Sequence, residues 1–194
     1  MEEFQGIIRQ CDVLTREVEF DRNTRNIVAM ALFDLSHEHA MSISHLCDIQ
    51  RYGSAASLYR SCAEAYIRGS WVYHCASDSE VLATKNRNKK GKALSTLVDE
   101  LTDKHQDFSF LNRYAKSSLK NVLDSLSHGQ SIQIAHRFDG ESIGFIYDAE
   151  VVKVFLQEAC MFSLLSNASI AQISRDSSME ASIEKLFERM HECV

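Results

Sequence analysis

Proline is absent from this 194-residue chain, and glycine occurs only seven times. Both residues interrupt helices, so long helices are permitted almost anywhere. The same counts exclude collagen-like and linker-rich architectures. Uninterrupted apolar runs are missing too. None approaches the ~20 residues that span a bilayer, so no membrane partner is expected. The six cysteines contain no C-x-x-C pair, and no glycine-rich phosphate loop, G-x-S-x-G elbow or H-E-x-x-H occurs. Zinc-finger, serine-hydrolase and ordinary nucleotide-cofactor chemistry drop away. His37, Met41 and His45 stand at i, i+4 and i+8, which puts the two imidazoles two turns apart, too far to share one ion unaided. Neither metal nor cofactor is expected.

What is present suits a folded core. Hydrophobic residues make up 45% and charged residues 25%, ordinary globular usage for one domain spanning 1–194. The net charge of -6 excludes a uniformly basic surface for nucleic acid or membrane. One local exception is KNRNKKGK at 85–92, with five cations and no acid. Removing those five from the 21 cations leaves 16 against 27 acids, so the asymmetry is real. The run is either a solvated loop or a phosphate-contacting patch that includes Lys89 and Lys90. Cys47, Cys62, Cys75 and Cys160 sit among small or apolar residues, as buried thiols do. The acidic N-terminus, MEEFQGIIRQ, lacks a signal-peptide core. A reducing cytoplasm and unpaired thiols are therefore expected.

Apolar spacing predicts helices over most of the chain. A first covers 2–18, with Phe4, Ile7, Ile8 and Cys11. A second covers about 21–50 behind an Asp21 cap. Arg51–Gly53 then punctuates, and a third runs over about 54–76, rich in Ser and Ala. A short helix follows Ser77, another covers 93–101, and one spans 108–126 up to Gly129. Asp148 opens a long helix, and Ser177 or Ser178 caps the last. Between them, Asp139-Gly140 separates two runs rich in Ile and aromatics, which predicts a small hairpin or an ordered loop near 130–147. The sum is an all-α bundle of roughly six to eight helices.

Chemistry-bearing residues gather on the third helix. Arg60, Glu64 and Arg68 stand at i, i+4 and i+8, a ladder in which each cation can reach the glutamate. The row is either a structural ladder or part of a polar site that binds a ligand or phosphate. His74 ends the segment R-G-S-W-V-Y-H that Arg68 begins. It is either a core histidine beside Cys75 or a general acid or base. Ser127 and His128 stand at the end of the helix before Gly129. There the macrodipole favours a protonated imidazole, and the pair is a second ligand- or phosphate-binding candidate, with His136 and Arg137 nearby in sequence.

An Arg followed four to six residues later by His, inside a central helix of an all-α chain, resembles the HEPN superfamily of helical nucleotide-binding domains. More locally, LYRSCAEAYIRGSWVYHCAS at 58–77 and SLSHG at 125–129 resemble a set of uncharacterised bacterial helical proteins. The HEPN resemblance implies a homodimer that acts on RNA, a metal-independent ribonuclease of a toxin–antitoxin or antiphage defence system. It implies Arg68 stabilising the phosphate and His74 moving the proton, with a partner protein of the same system. Gly69 stands where that family often has a polar residue. Six residues of straight helix also turn two side chains ~120° apart, so the pair needs a kink at Gly69 or a second copy of the chain. The alternative is a non-catalytic helical binding or scaffold subunit that senses a nucleotide or pairs with another protein.

Overall fold

The computed structural model describes residues 1–84, 91–128, 134–138, 143 and 147–193, with backbone alone at 118 and 119. Lys89, Lys90, Gly129 and the Asp139-Gly140 turn lie outside the described residues. The described chain is all-helical. Nine α-helices run in order: α1 (Glu2–Leu14), α2 (Thr24–Asp48), α3 (Tyr52–His74), α4 (Asp78–Thr84), α5 (Leu94–Lys104), α6 (Asn112–Ala115), α7 (Ser118–Ser127), α8 (Ala149–Ser174) and α9 (Ser177–Glu192). A 3-10 segment, Gln106–Leu111, precedes α6. Near 130–147 the described residues include one isolated antiparallel bridge, Phe138 to Ile143.

Several boundaries differ from the sequence reading, each for a local reason. Asn23 rather than Asp21 caps α2, its side chain accepting from the Asn26 amide. Asp21 instead accepts from the Asn23 side chain. Asp176 caps α9 ahead of the two serines and accepts from the amides of Ser178 and Met179. Asp148 caps α8 as its residue type predicts. The α1 helix stops early, where Thr15 Oγ1 bonds back to the Cys11 carbonyl and Glu17 turns left-handed. Gln50, not Gly53, takes the left-handed turn between α2 and α3, and Gly53 lies buried inside α3. The expected helix 108–126 is three pieces, and the Ser117 hydroxyl bonds back to the Arg113 carbonyl at one of the breaks.

The α3 helix is the centre. It packs on α2, α5, α7 and α8, and α2 also packs on α8. Its small residues admit close neighbours. A methyl group at Gly69 would stand 2.9 Å from the Phe33 ring of α2, and Phe33 is fully buried. Gly69 therefore serves helix contact, and α3 continues through it without a break in its helical hydrogen bonding. One continuous apolar cluster joins Phe4, Ile8, Phe33, Ile67, Trp71, Leu97, Phe162 and Ile183. The α8 helix meets the length and mean hydropathy of a bilayer span, at 1.3 over its best 18 residues, although polar residues interrupt its apolar run. Its burial on α1, α2, α3 and α9 gives it the role of a core helix. All six thiols are free, and Cys11, Cys47, Cys62 and Cys160 are buried. Burial pushes the Cys11 thiol up to about 11 and those of Cys47 and Cys62 to about 12.

Two glycines give opposite predictions. A methyl group at Gly69 overpacks a buried ring at a cost of about 1–3 kcal/mol, which exceeds the ~1 kcal/mol gained in helix propensity. At Gly6 in α1 the same methyl meets nothing within 4 Å, so only the propensity gain remains. Thermal melts will show Gly69→Ala below the parent and Gly6→Ala above it. A Gly69→Ala protein that melts higher, like Gly6→Ala, contradicts this packing.

Candidate functional site

On α3 the polar ladder occupies the stripe that neighbouring helices leave partly open. Arg60, Glu64 and Arg68 are each about one-third exposed. The Arg68 Nη2 and Nε atoms donate to Glu64 Oε1 at 2.6 and 2.9 Å. Arg60 reaches Glu64 Oε2 at 3.8 Å and also pairs with Asp124 of α7. Lys120 meets the same Asp124 at 2.7 Å. The ladder thus has two ends. The Arg60 end ties α3 to α7, and the Arg68 end opens elsewhere.

Arg68 lines a cleft of about 390 Å³ between α2, α3, α4 and α5. Leu32, Val72, Ala83 and Leu97 give it an apolar floor. Its polar wall is a compact charge cluster. Lys92 Nζ lies 2.8 Å from Glu80 Oε1 and 2.6 Å from Glu100 Oε1, and 4.8 Å above the Trp71 ring. Trp71 Nε1 donates to Glu100 Oε2 at 2.6 Å. Ser77 and Glu80 form a capping box at the start of α4, which fixes the Glu80 carboxylate. The Lys92 ammonium, with the Ser77 amide and hydroxyl, holds the Glu80 carboxyl at about 2. Lys92 likewise holds Glu100 below its ordinary range. Among the described residues around the cleft, Glu64 pairs with Arg68, and Glu80 and Glu100 pair with Lys92.

His74 is elsewhere. Its ring packs edge-on against Tyr73 and His105, with centroids at 4.8 and 5.1 Å, and against Phe108 at 5.3 Å. Burial lowers its imidazole from the usual 6.5, and His105 lowers it further. Among the described residues no hydrogen bond, ion pair or ring contact joins it to Arg68. On an unbroken α3 the two side chains point ~120° apart with ~9 Å of rise between them.

Ser127 and His128 do not join the cleft. Ser127 Oγ donates to the Ser57 carbonyl at 3.3 Å, and Ser57 Oγ to the Leu126 carbonyl at 3.2 Å, a staple between α7 and α3. His128 is exposed at the end of α7. His136 stacks on Tyr147 at 4.4 Å, and Arg137 lies against Gly53. His37 is buried with Nδ1 2.9 Å from Ser163 Oγ. Among the described residues no group of three or more His, Cys, Asp or Glu is placed to hold a metal ion.

The sequence reading missed Trp71, Glu80 and Glu100. Their signal was scattered over three helices, and only the basic run flagged Lys92.

Fold and site together define an all-helical bundle with one charged, apolar-floored cleft beside its central helix. The chain belongs to DUF6988, a family of unknown function, whose model matches residues 33–194. The matched span holds Arg68, Trp71, Glu80, Lys92 and Glu100. No curated protein and no solved structure matches.

The depressed carboxyls make a sign-definite prediction. Unfolded, these groups take protons near the usual glutamate range, before the folded ones do. Their stabilisation is present above that range and is lost as pH falls toward 2. Lys92→Met removes the principal cause. Urea denaturation at pH 5 and pH 2.5 will show a smaller acid-induced loss in Lys92→Met than in the parent. Equal losses contradict the coupling.

Proposed function

We propose that the protein is a non-catalytic, ligand-binding helical module whose site is the cleft lined by Arg68, Trp71 and Lys92. The observation that carries this reading is the divergence of the Arg–His pair. Arg68 is engaged by Glu64 and opens into the cleft, while His74 packs among rings on another side of α3. The cleft has the size and mixed lining of small-molecule sites, an apolar floor with a few fixed polar groups. A ribonuclease built on Arg68 and His74 would need His74 from a second copy of the chain to reach the same phosphate.

Trp71 is the chain's sole tryptophan, so its fluorescence reports on this cleft. Titration with n-butylammonium, butyrate and adenosine 5′-monophosphate will give a saturable change with at least one of them. Ala83→Leu, which fills the cleft and leaves its charges in place, will abolish it. In parallel, total RNA incubated with the protein in EDTA will stay intact. Absence of any saturable response overturns the proposal. So does RNA cleavage that Arg68→Ala and His74→Ala each eliminate.

A further inference from the structure

We propose that Trp71, Glu80 and Glu100 form a recognition site for a small molecule carrying a primary ammonium on an apolar body. Lys92 is then its built-in occupant, which such a ligand displaces. This rests on the cleft reading above and names the chemistry of its ligand.

The site has what an ammonium requires. A primary ammonium offers three N–H donors and a positive charge. Here two carboxylates supply acceptors at 2.6–2.8 Å, and the indole face lies 4.8 Å away, within cation–π range. Each carboxylate also has a partner besides Lys92. Glu80 Oε2 is held by the Ser77 amide and hydroxyl, each at 2.8 Å. Glu100 Oε2 is held by Trp71 Nε1 at 2.6 Å. Three helices thus build the box; Glu80 turns its other oxygen, Oε1, toward the cation, and Glu100 meets it with Oε1 at 2.6 Å and Oε2 at 2.8 Å.

The occupant is attached differently from the box. Lys92 precedes α5 and lies in no helix. Among the described residues its carbonyl accepts one long bond, 3.5 Å, from Arg68 Nη1. Its neighbour Gly91 lies so close to Arg68 that an added Cβ would stand 3.3 Å from Nη1. The cleft beside the ammonium, about 390 Å³, is larger than one lysine head needs. A competing amine would place its ammonium where Lys92 Nζ now lies and its apolar body over Leu32, Val72, Ala83 and Leu97. A body larger than the four methylenes of Lys92 buries apolar surface that the lysine stem does not, and this gives the ligand its advantage.

The test is Trp71 fluorescence of Lys92→Met, with Lys92→Gln as a second variant, each checked for folding by circular dichroism. The probes are n-butylammonium chloride and n-butanol, which share a chain and differ in head group. The proposal expects half-saturation by butylammonium at a concentration at least tenfold lower in the variant than in the parent. It also expects at least tenfold lower than for butanol, with this preference lost when Glu80→Gln is added. Equal responses to the two probes overturn the ammonium assignment while the cleft reading stands. No response to either probe by a folded variant overturns both.

Discussion

The close approach of α2 to α3 is the constraint on which the rest of the molecule hangs. The Phe33 ring lies where any side chain at position 69 would intrude, so the helices meet backbone to ring. That contact, with Ala55, Ala63 and Ile67 also buried, sinks α3 deeply enough for α5, α7 and α8 to cover its other sides. A helix covered on so many sides has little room for charge. What remains is the stripe of Arg60, Glu64 and Arg68, and each of its residues must be answered by a neighbour. Asp124 answers at one end, and the cleft opens at the other.

These ion pairs are about one-third exposed, so each contributes only ~0–1 kcal/mol. Their role is placement. The apolar cluster supplies stability, and the charges determine how α4, α5 and α7 face α3. Glu158 of α8 works in the same manner on the far side. It accepts from Tyr59 of α3 at 2.6 Å and from Tyr114 of α6, and it pairs with Arg113. Polar atoms along α3 thus link helices that the core has already brought together.

Much of the fold could be read from the sequence, because apolar spacing at 3.6 residues survives folding unchanged. The helical class, the central Ser- and Ala-rich helix and the Asp148 cap all came from local pattern. The Arg60–Glu64–Arg68 ladder was legible for the same reason, since its partners are four residues apart on one helix. The cleft was not, because Trp71, Glu80, Lys92 and Glu100 meet only through tertiary packing. Glu80 and Glu100 look like solvated helix acids in one dimension. Lys92 looked like one of five cations in a basic run, yet it is the cation that two carboxylates and a ring enclose. The caps at Asn23 and Asp176 were misplaced by one or two residues, where several residues of cap type stand together and only backbone geometry selects one.

The central claim is that one ammonium sits over one indole at the wall of the cleft. The most direct test is the chemical shift of the Lys92 side chain by NMR, assigned by its loss in Lys92→Met. With Nζ 4.8 Å from the Trp71 ring centroid, the ring current will move the adjacent methylene protons upfield of a free lysine's. Shifts at the position of a solvated lysine would contradict the account, and with it the site.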